Sequence, residues 1–151
     1  MTIVINISSN QAHLIDRDFL KEAIRLTLET HEKSDIDLTL QLTDDKTVRQ
    51  LNRAYRGIDK TTDVLAFNQE FINPETNQLY LGDVIISIDQ AQKQAQENNQ
   101  SLNEECALLT IHGTLHLLGY DHAEVREKEQ MWRIQDTILR NLLHRREEES
   151  G

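Results

Sequence analysis

The stretch SLNEECALLTIHGTLHLLG, residues 101 to 119, constrains the fold more than any other part of the chain. Ser101 and Glu104 fit a capping box, in which a serine hydroxyl and a glutamate three residues later satisfy free backbone N–H groups reciprocally. The helix opened there continues to Leu118, and Gly119, with no Cβ to clash, accepts the left-handed backbone that ends it. Apolar residues lie on most sides of this helix, which marks it as buried. A chain of 151 residues is sized for one compact domain with a single core. This helix belongs at its centre.

The other elements are short and varied. Ile3 to Ile7 is β-branched and reads as a first strand. From Asp16 to about His31, Phe19, Leu20, Ala23, Ile24 and Leu28 recur at helical spacing. Ile36 to Leu42 alternates strictly, as a strand with one buried face does. Thr43 or Asp44 can cap a second helix to Ala54 or Tyr55, with Val48, Leu51 and Tyr55 toward the core and Arg49, Arg53 and Arg56 along a separate stripe. Val64 to Phe67 is a third strand, Asn73-Pro74 and Asn77 mark a turn, and the chain returns through Leu79 to Leu81. Gly82 to Ile88 is the next strand, and a polar helix from Asp89 to about Asn98 follows it. A last helix spans roughly Glu124 to Leu143, with Met131, Ile134, Ile138 and Leu142 on one face, and residues 145–151 form a charged tail expected to fray. Nothing marks a linker, so residues 1–151 read as a single α+β (mixed α/β) domain with about four strands flanked by helices.

The central helix carries chemistry. HGTLHLLGYDH, residues 112 to 122, holds three of the six histidines. His112 and His116, four apart, project from one face and can share one ion. The turn at Gly119 brings His122 round as a third ligand, which leaves zinc's fourth position open. A single histidine on an apolar helix is ordinarily a hydrogen-bonded core residue, but three buried imidazoles without a metal would each need partners. The one cysteine, Cys106, lies six residues before His112, about 120° round the helix, and is a poor further ligand. Metal-dependent peptidases show the same spacing in H-E-x-x-H-x-x-G-x-x-H, but Gly113 stands where their catalytic Glu belongs. That Glu is the general base of peptide hydrolysis, so the segment argues for another substrate. Asp121 can accept a proton, orient an imidazole, or cap the following helix.

Charge limits the partners. Twenty-six acidic against sixteen basic residues give a net charge of −10, the wrong sign for holding phosphates by overall field. Nucleic acid would need a local basic patch. Arg49, Arg53, Arg56 and Lys60 are the one concentrated basic stretch before the tail, and offsets of four and three put the arginines on one helical face. That face is either an RNA path or a solvated surface neutralised by Asp44, Asp45 or other acids. His13, His31 and His144 sit in polar contexts and read as surface residues, and Trp132 reads as core. MTIVINISSN lacks a leader pattern, no apolar run reaches bilayer length, and a lone cysteine closes no intrachain disulfide, which together favour the cytosol.

Taken together, these blocks resemble one family. HGTLHLLGYDH is similar to the H-G-x-x-H-L-x-G-[YH]-D-H signature of the YbeY endoribonuclease (rRNA maturation factor) family. Asn52 to Phe67, NRAYRGIDKTTDVLAF, resembles its N-x-x-Y-R-x-x-D-x-P-T-D-V-L-S-F segment, and Leu81 to Ser87, LGDVIIS, resembles its L-G-D-[IV]-x-I-S strand. Thr61 replaces the usual proline, Ala66 a common serine, and Asn68 stands where proline often follows Phe67; these alter loop stiffness and remove no ligand.

The resemblance implies a mixed sheet flanked by helices and a metal-dependent, single-strand-specific endoribonuclease of ribosomal RNA maturation and ribosome quality control. It implies one zinc ion, or another divalent metal, at His112, His116 and His122, and Arg56 as the functional, catalytic arginine near the metal. Arg49, Arg53 and Lys60 become RNA-binding candidates. The implied partners are ribosomal RNA and small-subunit ribosomal components in the cytoplasm, with neither DNA nor membrane among them. Two other readings stay open: a ribosome-assembly binding protein with a mainly structural metal, and a metal-dependent hydrolase of a non-RNA substrate such as an amide.

Overall fold

Among the described residues, four strands make one mixed sheet in the order β1-β2-β4-β3, where β1 is Thr2–Ile7, β2 Ile36–Thr43, β3 Val64–Ile72 and β4 Leu79–Ser87. The computed structural model describes residues 1–120 and 124–150, with side chains as far as Glu148. β1 and β4 both run parallel to β2, and β3 runs antiparallel to β4. The helices are α1 (Arg17–Thr30), α2 (Asp45–Arg56), α3 (Ile88–Glu97), α4 (Leu102–Leu117) and α5 (Val125–Ser150). Oxygen caps start four of them: Asp16, Asp44, Ser87 and Ser101 each accept the backbone N–H three residues on.

Leu79–Leu81 and the run beginning at Gly82 are one strand, not two. Gly82 carries the chain through with φ at +151°, and a Cβ there would lie 2.1 Å from the Phe67 carbonyl oxygen, so only glycine keeps β4 continuous beside β3. The Asn73–Gln78 turn then closes a β3–β4 hairpin, its N–H and carbonyl joined at 2.8 Å.

The pleat sends alternate residues of β3 and β4 to opposite faces. Val64 and Val84 point at α4, whereas Leu65 and Ile85 join Val48 of α2 in a small second cluster. The main core lies on the α4 side, where Leu20, Ile24 and Leu28 of α1 meet Leu38, Leu40 and Leu42 of β2 and Ile111 and Leu115 of α4. α4 packs against α1, α3, α5, β3 and β4, so the helix with the most apolar surface is the most enclosed. It lies tight on the sheet at Gly113, where a Cβ would sit 2.5 Å from Val84 Cγ1.

α5 continues past Leu143, so residues 145–150, expected to fray, are its last turns. Contacts to α1 hold them: Arg145 pairs with Glu22 at 3.0 Å, and Arg146 lies 4.4 Å from the centre of the Phe19 ring. Among the described residues no helix is long and apolar enough to cross a membrane.

Candidate metal centre and arginine face

α4 is buried on every side except a strip, and the strip carries His112 and His116. Gly113, Thr114 and Leu115 between them are buried, while the two histidines are half-buried. Their rings face each other nearly edge-on, with centroids 4.8 Å apart and planes at 71°. Such a pair can present two imidazole nitrogens to one ion.

A residue from another helix sets the chemistry of the first. Gln135 of α5, 2% exposed, places its amide oxygen 2.9 Å from Nδ1 of His112. A carbonyl oxygen only accepts, so Nδ1 donates the hydrogen and Nε2 keeps its lone pair, the state a metal ligand requires. Support of this kind, through the second ring nitrogen, accompanies most metal-bound histidines. The donor set therefore fits a divalent metal of the zinc type. Cys106 does not join it: the thiol is buried, and desolvation with the nearby Glu105 charge pushes its pKa up to about 12.

The turn toward the third histidine begins at Gly119. Gly119, at φ +105°, ends α4, with its N–H on the His116 carbonyl at 3.0 Å and the Tyr120 N–H on the Leu115 carbonyl at 3.1 Å. These two bonds are a Schellman motif. Tyr120 is then tied to the end of α1 by His31, a half-buried residue and not the surface one its polar context suggests. The His31 Nδ1–H donates to the Thr27 carbonyl at 2.8 Å, so its Nε2 accepts from the Tyr120 hydroxyl at 2.9 Å. Asp121 and His122 lie outside the described residues. Among the described residues no group of three potential ligands assembles, and the described part of the site supplies two.

Gly113 takes a structural meaning here. It faces Val84 and Val64 of the sheet, and that contact leaves no room for the carboxylate that peptidases carry at the equivalent place.

The arginine stripe lies on the other face of the sheet, on α2, and Arg49, Arg53, Arg56 and Lys60 are all exposed. Arg49 is occupied by Asp59, with contacts of 2.9 and 3.3 Å, and this partner holds the Asp59 carboxyl below its ordinary pKa. The loop from Gly57 to Asp63 is fixed to its surroundings. Asn52 Nδ2 donates to the Lys60 carbonyl at 2.9 Å, and the Thr61 hydroxyl donates to Asp45 at 3.0 Å. Asp45 also accepts from Ser87 and Gln90, so it joins this loop to β4 and α3. Thr61, where proline is usual, thus anchors the loop by a hydrogen bond.

Tyr55, expected in the core, is 71% exposed, with its ring against Phe67 of the edge strand β3 instead of beneath α2. A groove lies elsewhere, between α1 and α5, lined by Asp16, Glu22, Arg25, Arg145 and Arg146, whose charges pair with one another. It brings none of the candidate residues together.

Comparison with known proteins decides the family. The sequence profile described as Endoribonuclease YbeY matches residues 5–143. The chain belongs to the YbeY endoribonuclease family. A relative named Endoribonuclease YbeY in Persephonella marina is 43% identical, over 85% of this chain and 84% of its own. The YbeY of a Roseiflexus species is 36% identical over 97% and 96%. A Thermotoga maritima protein solved in solution superposes with a TM-score of 0.68 and 25% identity, over 98% of this chain and 93% of that one. The α+β fold is therefore shared over nearly the whole chain, well beyond the matched sequence blocks.

Proposed function

We propose that this protein is a zinc-dependent, single-strand-specific endoribonuclease that acts in ribosomal RNA maturation and ribosome quality control. It would work in the cytoplasm on ribosomal RNA, alongside small-subunit ribosomal components. The observation that carries the reading is the facing pair His112 and His116, with Gln135 behind it, on the family's own signature segment.

His112, His116 and His122 would hold one metal ion; zinc suits three imidazoles, and another divalent ion would use the same donors. When bound, such an ion polarises a phosphoryl oxygen or lowers the pKa of its water to about 7. Gln135 keeps His112 in the tautomer that can ligate. Arg56 would hold two phosphate oxygens in its planar fork, and Arg49, Arg53 and Lys60 would guide the strand despite the net charge of −10. No carboxylate stands at position 113, which disfavours peptidase chemistry.

The test uses purified wild type, His116→Ala and Arg56→Ala, with metal content, melting and cleavage of single-stranded RNA measured on each. His116→Ala should lose metal and cleavage together. Arg56→Ala should stay folded and metal-loaded, with cleavage lower by about 10²–10³. Full cleavage by Arg56→Ala removes that arginine from the mechanism. Absence of metal-dependent cleavage in wild type favours an assembly protein with a structural metal, and hydrolysis of peptides instead favours the amide hydrolase.

A further inference from the structure

Tyr55 stands at the end of α2 with most of its ring in water, 71% exposed, which is unusual for a large aromatic side chain that has a core beside it. It is not loose. Its ring lies against Phe67 of β3, with centroids 5.2 Å apart and planes tilted by 52°. Phe67 in turn packs on the cluster of Val48, Leu65 and Ile85. One face of Tyr55 is thus backed by a partner anchored in the core.

Its surroundings are basic. Arg56 follows it in sequence, and Arg53 is in the same final turn of α2. Among the described residues neither guanidinium has an ion pair or side-chain hydrogen bond, whereas Arg49 is taken by Asp59. Arginines in the last turn of a helix also complement its dipole, but that gives no reason for an aromatic ring held out beside them.

The position relative to the histidines matters too. Phe67 lies against Gly82, where a Cβ would be 2.1 Å from the Phe67 carbonyl oxygen and 3.1 Å from Leu117 Cδ2. Leu117 is next to His116. Tyr55 and the histidine end of α4 therefore sit at the same level of β3, on its two sides, and β3 is the edge of the sheet.

We propose that Tyr55, backed by Phe67, is a nucleobase-stacking platform for single-stranded RNA, with Arg53 and Arg56 taking the flanking phosphates. Aromatic faces beside guanidinium groups bind single strands with little sequence preference, since every base offers a π-face. A duplex keeps its bases stacked on one another and cannot use such a ring, so the platform selects unpaired RNA. The inference rests on the ribonuclease reading and adds to it a subsite for the base.

The test is equilibrium binding of a fluorescent, uncleavable 2′-O-methyl oligoadenylate to the metal-loaded protein, with inorganic polyphosphate as a base-free competitor measured in parallel. Tyr55→Ala should weaken oligoadenylate binding about tenfold or more and leave polyphosphate binding unchanged; Tyr55→Phe should restore the wild-type affinity. Arg53→Gln should weaken both ligands and lower the salt dependence by about one phosphate contact. Wild-type oligoadenylate affinity in a folded Tyr55→Ala protein overturns the platform and leaves the exposed ring to a protein partner. Equal losses for oligoadenylate and polyphosphate overturn it as well, because the ring then acts only through the local structure. Failure of wild type to bind oligoadenylate, while Tyr55→Ala behaves identically, overturns the ribonuclease reading itself.

Discussion

Gln135 reaches from α5 to His112 on α4, its amide oxygen 2.9 Å from Nδ1, and so joins the last helix of the chain to the metal centre. Gln135 is buried, and its contact fixes which imidazole nitrogen can donate to a metal. It also couples the site to the packing of α5 through Met131, Ile138 and Leu142, which sit in the same core.

Gln135→Leu removes that acceptor while keeping the side chain's bulk. Metal affinity should fall by about 10–100-fold, the usual loss when a partner behind a ligating histidine is removed. Zinc competition against a chromogenic chelator measures it. Gln135→Glu, which keeps an acceptor oxygen, should retain most of the affinity. Unchanged affinity in Gln135→Leu would separate α5 from the site.

Gly113 packs against Val84, and any side chain there is over-packed by this contact. Gly113→Ala gains about 1 kcal/mol of helix propensity but forces the valine or the helix to move, which costs about 1–3 kcal/mol. The net expectation is a lower melting temperature. In a double-mutant cycle with Val84→Ala, the two changes should couple by about 1 kcal/mol, the second substitution making room for the first. Additive effects would show that the helix shifts away from the sheet instead.

Much of this was legible in the residues, for reasons that can be named. The cap at Ser101, the stop at Gly119 and the spacing of His112 and His116 are local, so three or four neighbours settle them. What escaped depends on distant neighbours. Gln135 lies 23 residues from His112 in no motif, and only the crossing of α4 and α5 joins them. His31 looked like a surface residue because its partner Tyr120 is 89 positions away. Tyr55 reads as core because it shares helical spacing with Val48 and Leu51, and Trp132 because so large an apolar ring is ordinarily buried. Yet Tyr55 lies out against Phe67 of the edge strand, and Trp132 is 50% exposed on α5 beside the buried Met131. Periodicity says which side of a helix is apolar; it does not say where the sheet beneath it ends.

Cys106 should behave as an inert core residue. Burial, with the Glu105 charge adding to it, raises the thiol pKa to about 12, so almost no thiolate exists at neutral pH. A disulfide reagent at pH 8 should leave the native protein essentially unlabelled and react fully once the chain is unfolded. Rapid native labelling would mean that α4 opens readily from the core.

Glu105, about two turns before His112 and 2% exposed, gives the fold a pH dependence with a definite sign. Desolvation raises its pKa above the ordinary value of 4.5, the Asp63 charge adds to this, and side-chain hydrogen bonds from Gln100 and Asn98 oppose it. A carboxyl whose folded pKa exceeds its unfolded value favours the fold when protonated. Its contribution is therefore fully present below the unfolded pKa and is lost as pH rises through the folded one. Glu105→Gln keeps an acceptor for the Gln100 amide and removes the charge, so it should melt higher than wild type at neutral pH. The gap should close as the pH approaches 4, where the wild-type carboxyl is itself neutral. Glu97→Gln, an exposed change on α3, corrects for the general effect of one fewer negative charge. Thermal melts of the three proteins across pH 4 to 8 decide the matter: a Glu105→Gln protein that melts lower than wild type at neutral pH would show that the ionised carboxylate stabilises the packing of α4.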